Sequence, residues 1–157
     1  MARQAILSRP DALREIRALP IGVYLFGHNH LQFYMEFEGR LLINPGSCGD
    51  PCDCDPTAAY TLLEYDEVNI GSGRWNVTER RIVYDLEATA RGLRESELTT
   101  QAPLWSVLIE RQLMTGIDYF GPFVKHIVKI GREHSQYKLP VSNDLWDIAV
   151  KTWAPDI

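Results

Sequence analysis

Gly27-His28-Asn29-His30 is the part of this 157-residue chain best equipped for chemistry. Neutral imidazole is the commonest side-chain metal ligand. In an extended segment the two rings of an H-x-H point to opposite sides. In a turn after a glycine they converge on one ion, or on two ions a few ångströms apart. The apolar run Gly22-Val23-Tyr24-Leu25-Phe26 leads straight into them. That puts the pair just past the C-terminal end of a strand, where open α/β sheets place their ligands. Alone, the spacing is a weak signal. Two imidazoles fall short of a complete metal site, and two loop histidines with no ligand would have the same letters.

A second cluster follows. Cys48, Cys52 and Cys54 are interleaved with Asp50, Asp53 and Asp55. C-x-C and C-x-x-x-C spacings occur in thiolate metal sites, yet a structural zinc needs four ligands. His28 or His30 could supply the missing ligands, and three reduced loop thiols are the plainer reading. An odd number of cysteines in a chain with no export signal also argues against a disulfide framework. The remaining candidates carry less. His126 falls on the polar side of a helical stretch beside Lys125 and Lys129, and His134 lies past Gly131, a helix-end glycine, in a polar connection. Ser47 has no histidine partner in sequence, and Asn44-Pro45-Gly46-Ser47 is not a nucleophile elbow. Trp75, Trp105, Trp146 and Trp153 fit the apolar stripes and are expected in the core.

The elements that must position these residues are an α/β start, a β-rich middle and a helical end. Ser8-Arg9-Pro10-Asp11 reads as a helix start, with Ser8 as cap, Pro10 in the first turn and Asp11 three residues on, as in a capping box. Leu13, Ile16 and Leu19 form its stripe. Gly22 to Phe26 is apolar throughout, as in a strand covered on both faces. Phe33, Met35 and Phe37 alternate with Gln32, Tyr34 and Glu36, a half-buried strand that Glu38-Gly39 turns into a hairpin with Arg40 to Ile43. Asn44 to Ser47 is a tight turn by composition and Asp50 to Pro56 a loop. Ala58 to Tyr65 and Trp75 to Tyr84 are two further strands joined by a Gly71-Ser72-Gly73 turn. After Asp85 the period becomes helical, with stripes at Leu86, Ala90 and Leu93, at Trp105, Leu108, Ile109 and Leu113, and at Phe120, Phe123, Val124 and Ile127. A last stripe, Trp146, Ala149, Val150 and Trp153, starts from an Asn143 cap.

Composition narrows the partners. With 45% hydrophobic residues the chain can build a real core, and its longest strongly apolar stretch, Ile21 to Phe26, is far short of a membrane span. Arg3, Arg9, Asp11, Arg14, Glu15 and Arg17 break up any secretory h-region, so the expected location is the cytoplasm. The first 98 residues hold 10 basic and 15 acidic side chains and the rest hold six of each, so the net charge of −5 sits in the first part. Asp50 to Glu67 contains six acids and no base. Such a surface repels phosphate backbones unless a bound cation inverts the field, which excludes nucleic-acid binding by a basic patch.

Taken together, Leu25-Phe26-Gly27-His28-Asn29-His30, a hairpin, and Leu42-Ile43-Asn44-Pro45-Gly46-Ser47 resemble the C-terminal signature of the calcineurin-like metallophosphoesterase family. The small bacterial and archaeal phosphodiesterase-type members are the nearest in pattern. Ala58-Ala59-Tyr60 and Arg80-Arg81-Ile82-Val83-Tyr84-Asp85 resemble downstream strands of the same members, so the likeness covers about residues 8 to 95. The resemblance implies an α/β (α+β) fold, the C-terminal part of a two-sheet αββα sandwich followed by a helical appendage. It implies hydrolysis of phosphate mono- or diesters by a hydroxide bridging two divalent ions, drawn from Mn, Fe, Zn or Ni. His28 would ligate one metal and His30 the other. Gly27 would allow the close turn, and Asn29, Asn44, Gly46 and Ser47 would shape the wall of the site.

The family's other ligands come from D-x-H, G-D-x-x-D and G-N-H-D/E motifs earlier in the chain, and the residues before His28 contain no histidine. Gly49-Asp50-Pro51-Cys52-Asp53 matches the letters of G-D-x-x-D, but on the wrong side of the histidines and in a turn-rich loop; the match reads as accidental. The expectation is the C-terminal part of a phosphoesterase, holding only the G-H-N-H and N-P-G-S part of the site, with partial or no metal occupancy. Residues 1–98 would form the metallophosphoesterase-like portion and 99–157 a helical extension packed on it. The catalytic histidine of G-N-H has no counterpart. A non-catalytic interaction module is the alternative, because an incomplete sheet leaves apolar faces that self-association or another chain must cover. A mononuclear thiolate site on the Cys-Asp loop with His28 and His30 is a third reading.

Overall fold

In the computed structural model, the described residues are 2–66 and 74–153, in two units, Met1–Tyr84 and Asp85–Ile157. The division expected at residue 98 falls inside the second unit. The secondary structure is mixed α+β, as the sequence predicts.

The first unit opens with two helices, α1 (Ala2–Leu7) and α2 (Pro10–Ala18). Here the expected cap is wrong. Arg9, not Ser8, stands at the N-cap of α2, and no side chain caps it. The Ser8 hydroxyl instead donates to Ala5 O at 2.9 Å, closing α1, while Asp11 pairs with the Arg9 side chain. A second helix immediately upstream leaves Ser8 at a C-terminus, a context that letters alone do not reveal. Pro10 does occupy the first turn, where its missing N–H costs nothing.

Three strands follow: β1 (Gly22–Leu25), β2 (Gln32–Phe37) and β3 (Arg40–Pro45), in the order β1-β3-β2. β3 is central, parallel to β1 and antiparallel to β2. Phe33 and Met35 alternate inward on β2 and meet Leu42 of β3 and Ile16 of α2, with Phe26 edge-on to Phe33 at 5.4 Å. The hairpin turns on Glu38 (φ 47°) and Gly39 (φ 77°), the left-handed pair whose twist suits a two-residue loop. Arg17 pairs with Glu38 at 2.8 Å, and Arg40 donates to Leu19 O, Arg17 O and Glu38 O, tying this turn to the end of α2.

β1 departs from expectation. It is an edge strand, not one covered on both faces: Leu25 is 69% exposed, and Ile21 just before it 78%. A continuous apolar run predicts cover on both faces, whereas β1 is half-buried from Gly22 to Tyr24 and exposed at Leu25.

A separate antiparallel pair, β4 (Ala58–Asp66) and β5 (Arg74–Ile82), completes the unit. Tyr65 and Trp75 face each other in register, ring centroids 4.8 Å apart. The expected Gly71-Ser72-Gly73 turn lies outside the described residues.

The second unit contains α3 (Leu86–Glu95), α4 (Leu98–Gln101), α5 (Pro103–Thr115), α6 (Phe120–Glu133) and α7 (Asn143–Thr152). Leu108, Phe123, Ile127, Ile130, Leu145 and Ala149 form its core. Three expectations change here. Ser142, not Asn143, is the N-cap residue of α7. Gly131 lies inside α6, where a β-carbon would meet Gln136 O at 2.8 Å; its smallness serves packing, not helix termination. The tryptophans border the cores instead of filling them: Trp146 and Trp153 stand edge-on to Phe123, and Trp105 and Trp146 remain exposed. No helix among the described residues is long and apolar enough to cross a membrane.

Candidate metal site

The Gly27–His30 segment leaves β1 after Phe26 N–H donates to Ile43 O at 3.0 Å, which extends the pairing with β3 by one bond. It then turns sharply. His28 (φ 79°) and His30 (φ 56°) both lie in the left-handed region, which disfavours β-carbons. Gly27 is not among the left-handed residues, and a β-carbon there would meet nothing within 4 Å. The turn expected of Gly27 is therefore taken by the two histidines.

Asn29, between them, holds the two motifs together. Its Oδ1 accepts from Leu31 N–H at 3.2 Å and from Asn44 Nδ2 at 2.5 Å. Asn44 is 0% exposed, and its own Oδ1 accepts from Gly46 N–H at 3.0 Å. Both ends of the buried amide are satisfied, as burial of a polar side chain requires. Gly46 is irreplaceable on two counts: its φ is 84°, and a β-carbon would lie 2.7 Å from that of Ala59 and 3.0 Å from that of Gln32. Ser47 continues the wall, its carbonyl accepting from Ala59 N–H at 2.9 Å and its Oγ from Asp50 N–H at 2.9 Å.

His30 Nδ1 lies 2.6 Å from Asp50 O and 3.2 Å from Asp50 Oδ2, in half-buried surroundings. His28 is exposed. The wall beneath is a salt-bridged loop. Arg81 of β5 pairs with Asp53 through both terminal nitrogens, lies 3.8 Å from Asp55 Oδ2, and donates from Nε to Gln32 Oε1 at 2.7 Å. Thr57 donates to Asp55 from both N–H (2.9 Å) and Oγ1 (2.5 Å), which holds that carboxyl below the ordinary range, with Arg81 adding to the effect. The two acids of the G-D-x-x-D look-alike thus have partners, His30 for Asp50 and Arg81 for Asp53. The site contacts of Arg81 and Gln32 are what sequence reading missed; an arginine on a strand carries no local sign of a partner 28 residues away.

Burial pushes the Tyr84 phenol up, with the charges of Cys48 and Asp50 adding to it. Its hydroxyl is buried and has no hydrogen-bond partner among the described residues. None of the three cysteines is in a disulfide; Cys48 and Cys54 are exposed and Cys52 is half-buried. His134 is exposed just past the end of α6, as expected, and His126 is half-buried, with partners of its own. His126 Nε2 lies 2.9 Å from Thr152 Oγ1 and its ring packs on Trp153, while His134 caps α6, with Nδ1 3.0 Å from Ile130 O.

His28 and His30 are imidazoles two residues apart, and the acceptors at His30 Nδ1 suit a ring that coordinates through Nε2. They do not complete a centre: no group of three His, Cys, Asp or Glu side chains that could hold a metal ion occurs among the described residues. Comparison with family models, with curated proteins and with solved structures returns no match for this chain.

Proposed function

We propose that this chain carries one limb of a metal-dependent phosphoesterase site, with His28 and His30 as the imidazole donors. The observation that carries this reading is the Asn29–Asn44 bond at 2.5 Å. It locks the histidine turn to the Asn44–Ser47 turn, so that two motifs distant in sequence become one rigid corner. In such a site the bound divalent ions supply the activated water and stabilise charge on phosphorus. The chain's own residues hold and aim two ligands. Asn44 and Gly46 fix the corner, and Arg81 keeps the acidic loop folded beside it. With the donor set incomplete among the described residues, none of them is assigned a hydrolytic step, and the substrate is put no more finely than a phosphate ester. We place this chemistry in the cytoplasm, on the odd number and close spacing of the cysteines in the sequence.

Calorimetric titration with Zn2+ tests the reading. The expected result is one saturable event that weakens at least ten-fold in both His28→Ala and His30→Ala. Binding unchanged in both variants would remove the proposal.

A second reading has its own support. Leu25 at the end of the edge strand β1 and Ile21 just before it stand exposed, beside a strand edge of the kind that pairs with a further chain. On that reading the chain is an interaction module. A concentration-independent monomer in sedimentation, with and without candidate partner chains, would count against it.

A further inference from the structure

The contacts of His30 contain more than a ligand in place. A backbone carbonyl can only accept a hydrogen bond, and so can an ionised carboxylate. Asp50 offers one of each to the same ring nitrogen, O at 2.6 Å and Oδ2 at 3.2 Å. A neutral imidazole has a single N–H. Satisfying Asp50 puts that proton on Nδ1 and leaves the lone pair on Nε2.

The geometry points to Asp50 as the positioning residue of His30: it holds the neutral ring in the Nδ1–H tautomer and fixes its rotation, so that Nε2 is permanently presented as a donor. The residue is itself anchored. Its N–H donates to Ser47 Oγ at 2.9 Å, and the next residue, Pro51, is fully buried. Ser47 therefore does more than shape a wall: it sets the height at which Asp50 meets the imidazole. The backbone conformation agrees. At φ 56° His30 is poised in a left-handed turn, and the bond to Asp50, 20 residues away, is what orients its ring.

The use of this device rests on the metal-site reading above, but the tautomer does not, so the two fail separately. Long-range 1H–15N spectra of the intact chain, uniformly 15N-labelled, report the tautomer of each histidine. They are read at a pH at which the spectra themselves show the rings neutral. In the native protein His30 should show a protonated-type Nδ1 and an unprotonated-type Nε2. Asp50→Ala removes one of the two acceptors and should weaken that bias about ten-fold, the value of a charge-assisted hydrogen bond. Asp50→Asn retains an accepting oxygen and should restore much of it. An Nε2–H tautomer in the native protein would overturn the inference. So would a bias equally strong in Asp50→Ala, which would leave the carbonyl alone in the role. Should Asp50→Ala fail to fold, the native tautomer and Asp50→Asn decide the matter: the wrong tautomer in the native protein, or Asp50→Asn indistinguishable from an unrestrained ring, sinks the assignment. Zn2+ added to the same sample separates the two claims. An Nδ1–H tautomer with no shift of Nε2 on adding zinc would leave the positioning in place and remove the metal reading.

Discussion

Asn44 is where the account is most exposed to test, because one side chain joins both motifs. Replacing it with alanine removes two hydrogen bonds, to Asn29 Oδ1 at 2.5 Å and from Gly46 N–H at 3.0 Å. Each is worth about 1 kcal/mol net, and a Gly46 N–H left dry adds about 1 kcal/mol more. A void the size of a carboxamide at a fully buried position adds several tenths. The sum is about 3 kcal/mol, confined to the unit Met1–Tyr84. Native-state hydrogen exchange reads it site by site. The opening free energy of the Leu42 and Ile43 amides on the central strand should fall by about that much, and that of Leu108 and Phe123 in the other unit should stay level. Asn44→Asp keeps the size, but points an acceptor at Asn29 Oδ1 and buries a charge, so its loss should match or exceed that of alanine. A fall below about 1 kcal/mol at Leu42 and Ile43, an equal fall in both units, or a harmless Asn44→Asp would refute the reasoning.

Four further outcomes follow from the same geometry. Gly46→Ala should cost about 2–5 kcal/mol by urea denaturation, from left-handed strain plus a β-carbon 2.7 Å from that of Ala59. Arg81→Met should strip Asp53 of its cation and free the 50s loop, seen as faster proteolysis near Cys52 with β2 still protected; a loop that remains resistant would mean the clamp is dispensable. Tyr84→Phe removes a buried hydroxyl without a partner and should stabilise by about 1 kcal/mol. Because the Tyr84 phenol is pushed up, the folded state holds its proton more tightly: stability is full below about pH 10 and falls as pH rises beyond it, and this alkaline limb should flatten in Tyr84→Phe. Asp55 has the opposite sign. Its depressed pKa adds stability above about pH 4 that is lost as pH falls, so Thr57→Val should shrink the acid-side loss, with thermal melts across pH 2–5 as the readout.

What the letters revealed and what they hid divides along physical lines. The alternation of Phe33, Met35 and Phe37, the Glu38-Gly39 hairpin and the helical stripes after Asp85 were legible because periodicity and turn chemistry are local. The edge position of β1 was hidden, since the apolar run Gly22 to Phe26 predicts cover on both faces and nothing local marks Leu25 as exposed. Caps were hidden by context: Ser8 faces α1, which has no stripe to announce it, and Ser142 takes the place expected of Asn143. At the site, the association of the Gly27–His30 and Asn44–Ser47 segments was implied by the resemblance of the two motifs to one family signature. Its means, Asn29 to Asn44, and the left-handed backbone at both histidines were not. Contacts such as Asp50 with His30 and Arg81 with Asp53 join residues more than 20 apart or nearly so, and nothing nearby in sequence marks them.

The central claim is that imidazole nitrogens, not the neighbouring thiolates, form the metal limb of this chain. Electronic absorption of the chain on adding Co2+ tests it most directly. The account expects weak visible bands of nitrogen and oxygen ligation that disappear in the His28→Ala, His30→Ala double variant. An intense thiolate-to-cobalt charge-transfer band that survives that variant would assign the ion to Cys48, Cys52 and Cys54 and contradict the claim.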